Sequence, residues 1–371
     1  MAIPFLIGAV LFLAYTNGAN DNFKGVATLF GSRTTDYRRA LLWATVTTFA
    51  GCLAAIGFSH GLIKAFSGKG LVPSDLISDP AFLLSIGFGA ALTVLLATLT
   101  GFPISTTHAL TGALVGAGWM AVGSQVNFGK LGHSFFLPLA MSPLLSMAIT
   151  SALYPSLRFV RNSLGVSKQL CLCVGTSREA VHLHSDGTAV LKSTGTVLTV
   201  GEMKQCVERY EGAILGIDSQ KIVDALHYIS AGTVGFARGL NDAPKIVALL
   251  VAAQAFQLSI RQGLFLTAAA MVAGGLLSAR KVARTMSERI TDMNHGQSFT
   301  ANLVTSILVT TASCLALPVS TTHVSCGALF GIGTVTGKAH FSVIRNVILS
   351  WIVTLPVAVL TAALIYGFSR W

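Results

Sequence analysis

The sequence predicts an all-α polytopic membrane protein: two inverted repeats with broken helices and re-entrant hairpins, joined by a small polar central segment. Hydrophobic residues make up 53% of the 371 residues, charged residues only 11%, and the mean hydropathy is +0.70. Soluble domains carry about 25% charged residues, and outer-membrane barrels show short alternating strands rather than long apolar runs. Both classes are therefore disfavoured, and a repeated pair of motifs indicates that a membrane domain is duplicated.

The two motifs occur once in each half of the chain and in the same order. The first motif reads G-x-N-D-x-x-K and occupies residues 18–24 and 239–245. The second motif reads P-x-S-T-T-H-x-x-x-G-A-x-x-G and occupies residues 103–116 and 318–331. We therefore predict three parts, which are a first membrane repeat at residues 1–156, a polar central segment at 157–220 and a second membrane repeat at 221–371.

The membrane elements follow from apolar length, because about 20 helical residues span a bilayer. In the first repeat the sequence predicts a long segment at residues 3–30 with a polar interruption at 16–22, a span at 40–63, a stretch at 81–122 broken at 101–107, and a span at 135–157. In the second repeat it predicts segments at 222–253, 258–278, 300–335 with a break at 317–322, and 343–368. A broken stretch fits either a re-entrant hairpin or two full crossings, and either choice inverts one repeat relative to the other.

The loop charges indicate the orientation, since lysine and arginine concentrate in cytoplasmic loops. With the N-terminus outside, most basic loop residues face the cytoplasm, namely Arg33, Arg38, Arg39, Arg158, Arg161, Lys168, Arg280, Lys281, Arg284, Arg289 and Lys338. The outward-facing ones are then Lys64, Lys69, Lys130, Arg261 and Arg370. We expect a multi-pass protein of the cell (inner) membrane with both termini outside and a cytoplasmic central segment. The net charge of +11 then suits a protein that handles anions, and no nucleic-acid partner is predicted.

The central segment alternates apolar and polar residues over 179–202, which is typical of a small β-hairpin unit. Residues 203–218 are expected to be helical, and the segment is interpreted either as a packed linker or as a regulatory module. No standard zinc-site spacing is present among Cys171, Cys173, His182, His184 and Cys206. The sequence therefore predicts no cofactor, and no metal beyond a coupling cation.

Asp21 and Asp242 lie well inside apolar segments, one in each copy of the first motif. A buried charge in a membrane is costly and usually marks a pathway or a site. The structural alternative is an ion pair with the lysine three residues later, but its recurrence beside Asn and Gly in both halves favours a site. Asn oxygens, a carboxylate and unwound carbonyls suit a hard cation such as sodium. The predicted cation ligands are Asn20, Asp21, Asn241 and Asp242, with Lys24 and Lys245 as countercharges.

The Ser-Thr-Thr triplet of the second motif follows a proline and precedes a helix rich in small residues. Ser and Thr are good N-cap residues, and a helix that begins in mid-membrane directs free N–H groups and its positive dipole end at the cap. Two such starts facing each other would surround a tetrahedral oxyanion, although the hydroxyls can instead bond to their own helix. The predicted anion ligands are Ser105, Thr106, Thr107, Ser320, Thr321 and Thr322, with Lys24 and Lys245.

His108 and His323 follow the first serine of each triplet by three residues and are auxiliary candidates for proton relay or substrate contact. A hydrogen bond that only orients the helix is at least as good an interpretation. Ser105, His108 and Asp21 have the residue types of a hydrolase, but no nucleophile-elbow sequence is present. Duplication of the whole set favours transport, so no catalytic residue is predicted.

At these residues the chain resembles the inorganic phosphate transporter (PiT) family of sodium- or proton-coupled phosphate permeases. Residues 17–21 look like the family's first G-A-N-D signature and residues 239–242 like the second, while the two copies of the second motif look like its P-x-S-T-T-H blocks. The resemblance implies inverted repeats, phosphate held between hairpin tips, cations near the Asn-Asp pairs, a cytoplasmic central loop and a homodimer. The chain departs from many members at Lys24, where they carry Asn. A fixed ammonium there would replace one bound cation or pair with phosphate.

The sequence thus predicts a secondary active transporter that imports inorganic phosphate by sodium or proton symport through alternating access in a lipid bilayer. A permease for sulfate or a related oxyanion is the nearest alternative, and an intramembrane hydrolase or an anion channel is a more distant one. Phosphate carries a proton near neutral pH and can donate it to a carboxylate, whereas sulfate cannot. Asp21 and Asp242 therefore favour phosphate.

Overall fold

The computed structural model describes residues 2–58, 60–164, 167–168, 172–183, 189–200, 210–211, 213–214, 217–252 and 259–370. These residues form two compact units. One unit combines Met1–Ser156 with Asp224–Trp371, and the other is Leu157–Val223. Both predicted repeats thus contribute to a single compact unit, in which they contact each other.

The first half contains long helices that agree with most of the predicted segments. Its helices are α1 (Ala2–Asp21), α2 (Ala27–Gly31), α3 (Tyr37–Phe58), α4 (His60–Phe66), α5 (Ser74–Ile77), α6 (Pro80–Thr100), α7 (Thr106–Val122), α8 (Phe128–Leu131) and α9 (Leu137–Ser163). A 3₁₀ turn covers Gly123–Gln125 and a π-helical turn covers Gly132–Phe136. The predicted interruption at 16–22 is wrong, because α1 continues through Asp21 and the irregular turns fall at 22–26. The Thr16 hydroxyl donates to the Leu13 carbonyl oxygen (3.0 Å), so this polar residue is accommodated within the helix.

The long helices of the second half follow the same order as those of the first half, but the first of them is longer. Its helices are α10 (Ser219–Ala252), α11 (Ile260–Ser278), α12 (Arg280–Arg284), α13 (His295–Cys314), α14 (Thr321–Thr336) and α15 (Phe341–Ser369), with a π-helical turn at Thr285–Arg289. Helix α10 is continuous through the second copy of the first motif and through Pro244. The corresponding helix of the first half ends inside the motif.

Both predicted helix breaks are confirmed. The first break, residues 101–105, begins at Gly101, whose positive φ of 80° ends α6. It ends at Ser105, which caps α7. The second break, residues 315–320, contains Ala316 with a φ of 55° and precedes α14, which Ser320 caps. Each Ser-Thr-Thr triplet therefore lies where a helix begins, as the N-cap preference of serine predicts.

Five helical stretches among the described residues are long and apolar enough to cross a bilayer. They are Tyr37–Phe58, Pro80–Thr100, Phe128–Ser163, Ile260–Ser278 and Phe341–Ser369. The predicted all-helical membrane architecture is therefore confirmed. The number of crossings and the inversion of one repeat relative to the other stay predictions.

The two halves are interleaved, because helices of one half pack closely on helices of the other. A Cβ atom at Gly18 in α1 would lie 1.9 Å from the Met271 carbonyl oxygen of α11. The equivalent Gly239 in α10 faces the Thr48 carbonyl oxygen of α3, at 2.2 Å from its would-be Cβ. Likewise α7 packs on α15, and Gly327 of α14 packs on Pro143 of α9. Small residues permit this close approach of helix backbones in membranes.

Replacing Gly18 with alanine is therefore expected to destabilise the protein markedly. The added Cβ would overlap the Met271 carbonyl oxygen, and overpacking of a tight interface costs about 1–3 kcal/mol. Thermal unfolding of the detergent-solubilised protein measures this effect. Gly57→Ala is the matched control, because a Cβ at Gly57 meets no atom within 4 Å. Equal unfolding temperatures for the two variants would contradict the close packing.

The central unit contains short antiparallel strand pairs. The strands are β1 (Ser167–Lys168), β2 (Leu172–Leu183), β3 (Ala189–Val200), β4 (Tyr210–Glu211), β5 (Ala213–Ile214) and β6 (Ile217–Asp218), paired β2 with β3, β1 with β4 and β5 with β6. The pairing of β2 with β3 confirms the predicted hairpin. The predicted helix over 203–218 is wrong where the structure describes it, because β4, β5 and β6 occupy that region. Residues 203–209, like Cys171, His184 and Cys206, lie outside the described residues.

Candidate functional site

The two copies of both motifs meet at one buried place between the halves. Thr107 Oγ1 donates to the Val319 carbonyl oxygen of the second break (3.3 Å). Thr322 Oγ1 donates to the Ile104 carbonyl oxygen of the first break (2.7 Å). The two Ser-Thr-Thr helix starts therefore touch each other directly.

Lys24 lies at the centre of this arrangement and is 3% exposed. Its Nζ donates to Asn20 Oδ1 (3.0 Å), to the Ile104 carbonyl oxygen (2.8 Å) and to Thr322 Oγ1 (2.5 Å), and it also forms an ion pair with Asp21. The ammonium is thus surrounded by four oxygen atoms, which are the ligand type that a hard cation prefers.

Lys245 repeats three of these four contacts in the second half. Its Nζ donates to Thr107 Oγ1 (2.8 Å), to the Val319 carbonyl oxygen (2.7 Å) and to Asp242 Oδ1 (3.4 Å). Each lysine therefore pairs with the aspartate of its own motif and contacts the last threonine of the opposite triplet. Exchanging the two halves leaves this pattern of contacts unchanged.

The three positions of each triplet have different partners. Ser105 and Ser320 accept backbone N–H groups from the first turn of their own helices, at 3.1 and 3.2 Å. Thr106 Oγ1 lies 3.4 Å from Asp21 Oδ2, and Thr321 Oγ1 lies 3.5 Å from Asp242 Oδ2. The serines therefore cap their own helices, and the first threonines lie next to the carboxylates. The second threonines donate hydrogen bonds to the other half.

Asn20 and Asn241 each connect one copy of the first motif, by hydrogen bonds, to the helix break of the same half. Asn20 Nδ2 donates to Thr98 Oγ1 (3.0 Å) and to the Phe102 carbonyl oxygen (3.1 Å). Asn241 Nδ2 donates to the Val319 carbonyl oxygen (3.3 Å), and Asn241 Oδ1 accepts from Ser313 Oγ (3.2 Å). The sequence analysis did not single out Thr98 or Ser313, because isolated hydroxyls in apolar helices carry no pattern of their own.

Arg238 is the most important residue that the sequence analysis missed. It is 1% exposed, and its guanidinium donates to Asn17 Oδ1 (2.7 Å), Asn22 Oδ1 (3.1 Å) and Thr48 Oγ1 (3.2 Å). Its Nε lies 3.8 Å from Asp242 Oδ2. The available signal was an arginine inside an apolar segment, directly before the glycine of the second-half motif.

We call Asp21, Lys24, Arg238, Asp242 and Lys245 the charged cluster. All five are at most 3% exposed. Asn17 ties the cluster together, because its Nδ2 lies 3.3 Å from Asp21 Oδ2 and 3.4 Å from Asp242 Oδ2. With two carboxylates and three cationic side chains, the ionised cluster carries one excess positive charge. Such an excess in a buried place favours binding of an anion.

The two histidines pack against each other away from the charged cluster. The ring centroids of His108 and His323 are 4.5 Å apart, and Trp351 lies 4.0 Å from His323. His323 Nδ1 and the Leu139 carbonyl oxygen are 3.1 Å apart, and both rings line a largely apolar cavity of about 700 Å³ between α7, α9, α14 and α15. Within the described residues, neither ring hydrogen-bonds a triplet hydroxyl or an aspartate, so their auxiliary role stays a prediction.

Comparisons with known proteins agree with the resemblance seen in the motifs. The phosphate transporter family profile matches residues 17–362. The chain is 28% identical to a putative phosphate permease of Pyrococcus abyssi, covering 96% of this chain and 95% of that one. It is 26% identical to a probable low-affinity inorganic phosphate transporter of Rhizobium meliloti, covering 99% and 97%.

A solved structure has the same fold. It is described as the sodium-dependent phosphate transporter, with a TM-score of 0.76, 21% identity, and coverage of 100% of this chain and 99% of that one. The family match extends over most of the residues that form the membrane helices and includes both copies of both motifs. The predicted family is therefore confirmed: this chain belongs to the phosphate transporter family.

Proposed function

We propose that the protein imports inorganic phosphate across the cell (inner) membrane by sodium or proton symport through alternating access. The observation that carries this proposal is the charged cluster at the crossed contacts between the two helix breaks. The names of the relatives, which are permeases and transporters of phosphate, support the choice of substrate. We further propose a homodimer with both termini outside and a cytoplasmic central segment.

The proposed phosphate ligands already form a ring of donors. The hydroxyls of Thr107 and Thr322 donate to carbonyl oxygens of the opposite break. The ammonium groups of Lys24 and Lys245 donate to carbonyl oxygens of the break in their own half. Phosphate oxygens would replace these acceptors, so that the same hydroxyl and ammonium groups donate to phosphate. Free N–H groups at the starts of α7 and α14 would donate to it as well. The full proposed set is Ser105, Thr106, Thr107, Ser320, Thr321, Thr322, Lys24 and Lys245.

The coupling cation is proposed to act at Asn20, Asp21, Asn241 and Asp242. A cation bound next to phosphate offsets its charge, so each ligand strengthens the binding of the other by the same factor. The same carboxylates form ion pairs with Lys24 and Lys245. Substrate binding would therefore exchange ion pairs inside the protein for pairs with the transported ions.

Phosphate is favoured over sulfate by the position of the carboxylates. Thr106 and Thr321 lie beside both a triplet and an aspartate, so an anion at the triplets would be next to Asp21 or Asp242. A protonated phosphate can donate to such a carboxylate, whereas sulfate would only be repelled.

Uptake of radiolabelled phosphate into proteoliposomes tests the proposal. We expect uptake to depend on an inward sodium gradient or an inward proton gradient, and excess sulfate to compete poorly. Empty liposomes give the background. Phosphate flux that is insensitive to both sodium and pH would reject symport and favour a channel. Flux abolished by excess sulfate would instead identify a general oxyanion permease.

A further inference from the structure

A basic cavity of about 590 Å³ lies beside the second break, apart from the charged cluster. Its walls include Lys64, Lys69, Lys130 and His133, and no acidic residue lines it. None of the three lysines forms an ion pair within the part of the chain that the structure describes. The cavity therefore concentrates positive charge, and the lysine side chains are exposed.

The fold positions one of these lysines against the backbone. Lys130 Nζ donates to the Lys69 carbonyl oxygen (2.8 Å) in a turn where Gly70 has a φ of 73°. A Cβ at Gly70 would lie 2.4 Å from Lys130 Nζ, so a glycine is needed for the ammonium to lie there. This arrangement holds the Lys130 ammonium at the backbone of Lys69, at the wall of the cavity.

Two aromatic rings separate the basic cavity from the charged cluster. Phe135 lines the cavity and packs edge-on against Phe66, with ring centroids 5.2 Å apart and an interplanar angle of 82°. The Phe66 ring centroid is in turn 5.8 Å from Lys245 Nζ. An anion in the cavity would thus be two side chains away from a cation of the charged cluster.

The second break forms another wall of the cavity. Ala316, Leu317 and Pro318 line it, and the next carbonyl oxygen, that of Val319, accepts from Lys245. Ala316 has a φ of 55°, a conformation that costs a non-glycine residue energy and is typical of functional segments. The same segment therefore borders both the basic cavity and the charged cluster.

The first break has a different environment. Within it, the carbonyl oxygens of Gly101 and Pro103 accept side-chain hydrogen bonds from Thr285 (2.8 Å) and Trp351 (3.0 Å) of the second half. The Leu99 carbonyl oxygen, near the end of α6, accepts one from Lys281 (2.8 Å). Among the described residues, the carbonyl oxygens of 316–318 accept no side-chain hydrogen bond. Hydrogen bonds thus tie carbonyl oxygens of the first break to the second half, while the second break borders the basic cavity.

We propose that the basic cavity is a second oxyanion site, an antechamber from which phosphate reaches the charged cluster past Phe66. This inference rests on the proposed function. Clustered ammonium groups without carboxylates attract small anions, and the proposed function makes phosphate, a tetrahedral oxyanion, the relevant one. A cleft of one charge sign raises the local concentration and arrival rate of its ligand. In the predicted orientation these lysines face the outside, where import begins.

The experiment measures initial uptake of radiolabelled phosphate into proteoliposomes, at low and at high potassium chloride, under one fixed driving gradient. For Lys64→Gln/Lys69→Gln/Lys130→Gln we expect the KM for phosphate at low salt to rise about tenfold, within the range of electrostatic steering. The maximal rate should be retained, and KM should lose most of its dependence on salt. The wild-type KM should rise with salt, because screening weakens the attraction.

The matched control is Arg38→Gln/Arg158→Gln/Arg345→Gln, which removes the same charge at exposed positions outside the cavity. Its KM should equal that of the wild type at both salt concentrations. If the triple lysine variant is not recovered, Lys64→Gln/Lys69→Gln tests the same expectation and keeps the Lys130 bond to the backbone.

Two outcomes overturn the antechamber. A lysine variant with wild-type KM and wild-type salt dependence would show that the cavity does not hold substrate. An equal rise in KM for the arginine control would show that only the overall charge matters. A wild-type protein that takes up no phosphate would instead reject the proposed function, and the antechamber with it.

Discussion

Asp21→Asn is expected to reduce phosphate uptake by at least about a hundredfold. The substitution leaves the buried Lys24 ammonium without its carboxylate partner. The variant also lacks the carboxylate that is proposed to bind the coupling cation. An interaction of about 3 kcal/mol with a charged group corresponds to a factor of more than about a hundred in binding. Initial uptake rates in proteoliposomes at equal protein content measure the loss.

A double variant separates a role in transport from a role in stability. Asp21→Asn/Lys24→Met removes both charges of this ion pair, so that neither partner is left buried without the other. We expect it to recover the thermal stability of the wild type but not its uptake, because the carboxylate acts on the transported ions. Recovery of uptake in the double variant, or unchanged uptake in Asp21→Asn, would contradict the proposed role of Asp21.

Arg238→Asn is expected to raise the KM for phosphate about a hundredfold. Asn17 and Arg238 occupy the same position, directly before the two copies of the first motif, so the variant has asparagine there in both halves. It removes the excess positive charge of the charged cluster. It also removes hydrogen bonds from the guanidinium to Asn17, Asn22 and Thr48. At an effective dielectric constant of about 20, two opposite unit charges about 6 Å apart attract each other by roughly 2.8 kcal/mol, which corresponds to about a hundredfold in affinity.

Arg238→Lys is the control, because it keeps the charge but lacks the planar fork that contacts several acceptors. We expect its KM to lie between those of the wild type and Arg238→Asn. If Arg238→Asn lowered only the unfolding temperature and left KM unchanged, Arg238 would be a brace between α1, α3 and α10. Phosphate uptake and thermal unfolding, measured on the same preparations, distinguish the two roles.

The helix breaks were predictable because their chemistry is local. Pro103 and Pro318 cannot continue a helix in the ordinary way, and the serines two residues later are favourable caps. The end of α1 was less predictable. Thr16 bonds to its own helix, and Asn17 finds partners on other elements, so the polar residues there do not end the helix.

The contacts within the site likewise divide into those that the sequence predicts and those that it does not. That Asp21 and Asp242 pair with lysines of their own motifs follows from a spacing of three residues, which lie on one helical face in α10 and across a turn after α1. That Lys24 contacts Thr322, and Lys245 contacts Thr107, does not follow from any spacing, because it depends on how the two halves are interleaved. Arg238 was missed for the same reason, since its partners come from α1 and α3.

The amino-acid sequence by itself determined the membrane class, the duplication, the helix starts and the residue types of the site, because composition, repetition and capping act over short stretches of chain. Only the tertiary structure decided which half supplies each partner, where the third buried cation lies, and which break borders the basic cavity. Those features depend on distances between residues far apart in the chain, and packing of glycine faces such as Gly18 on Met271 sets such distances.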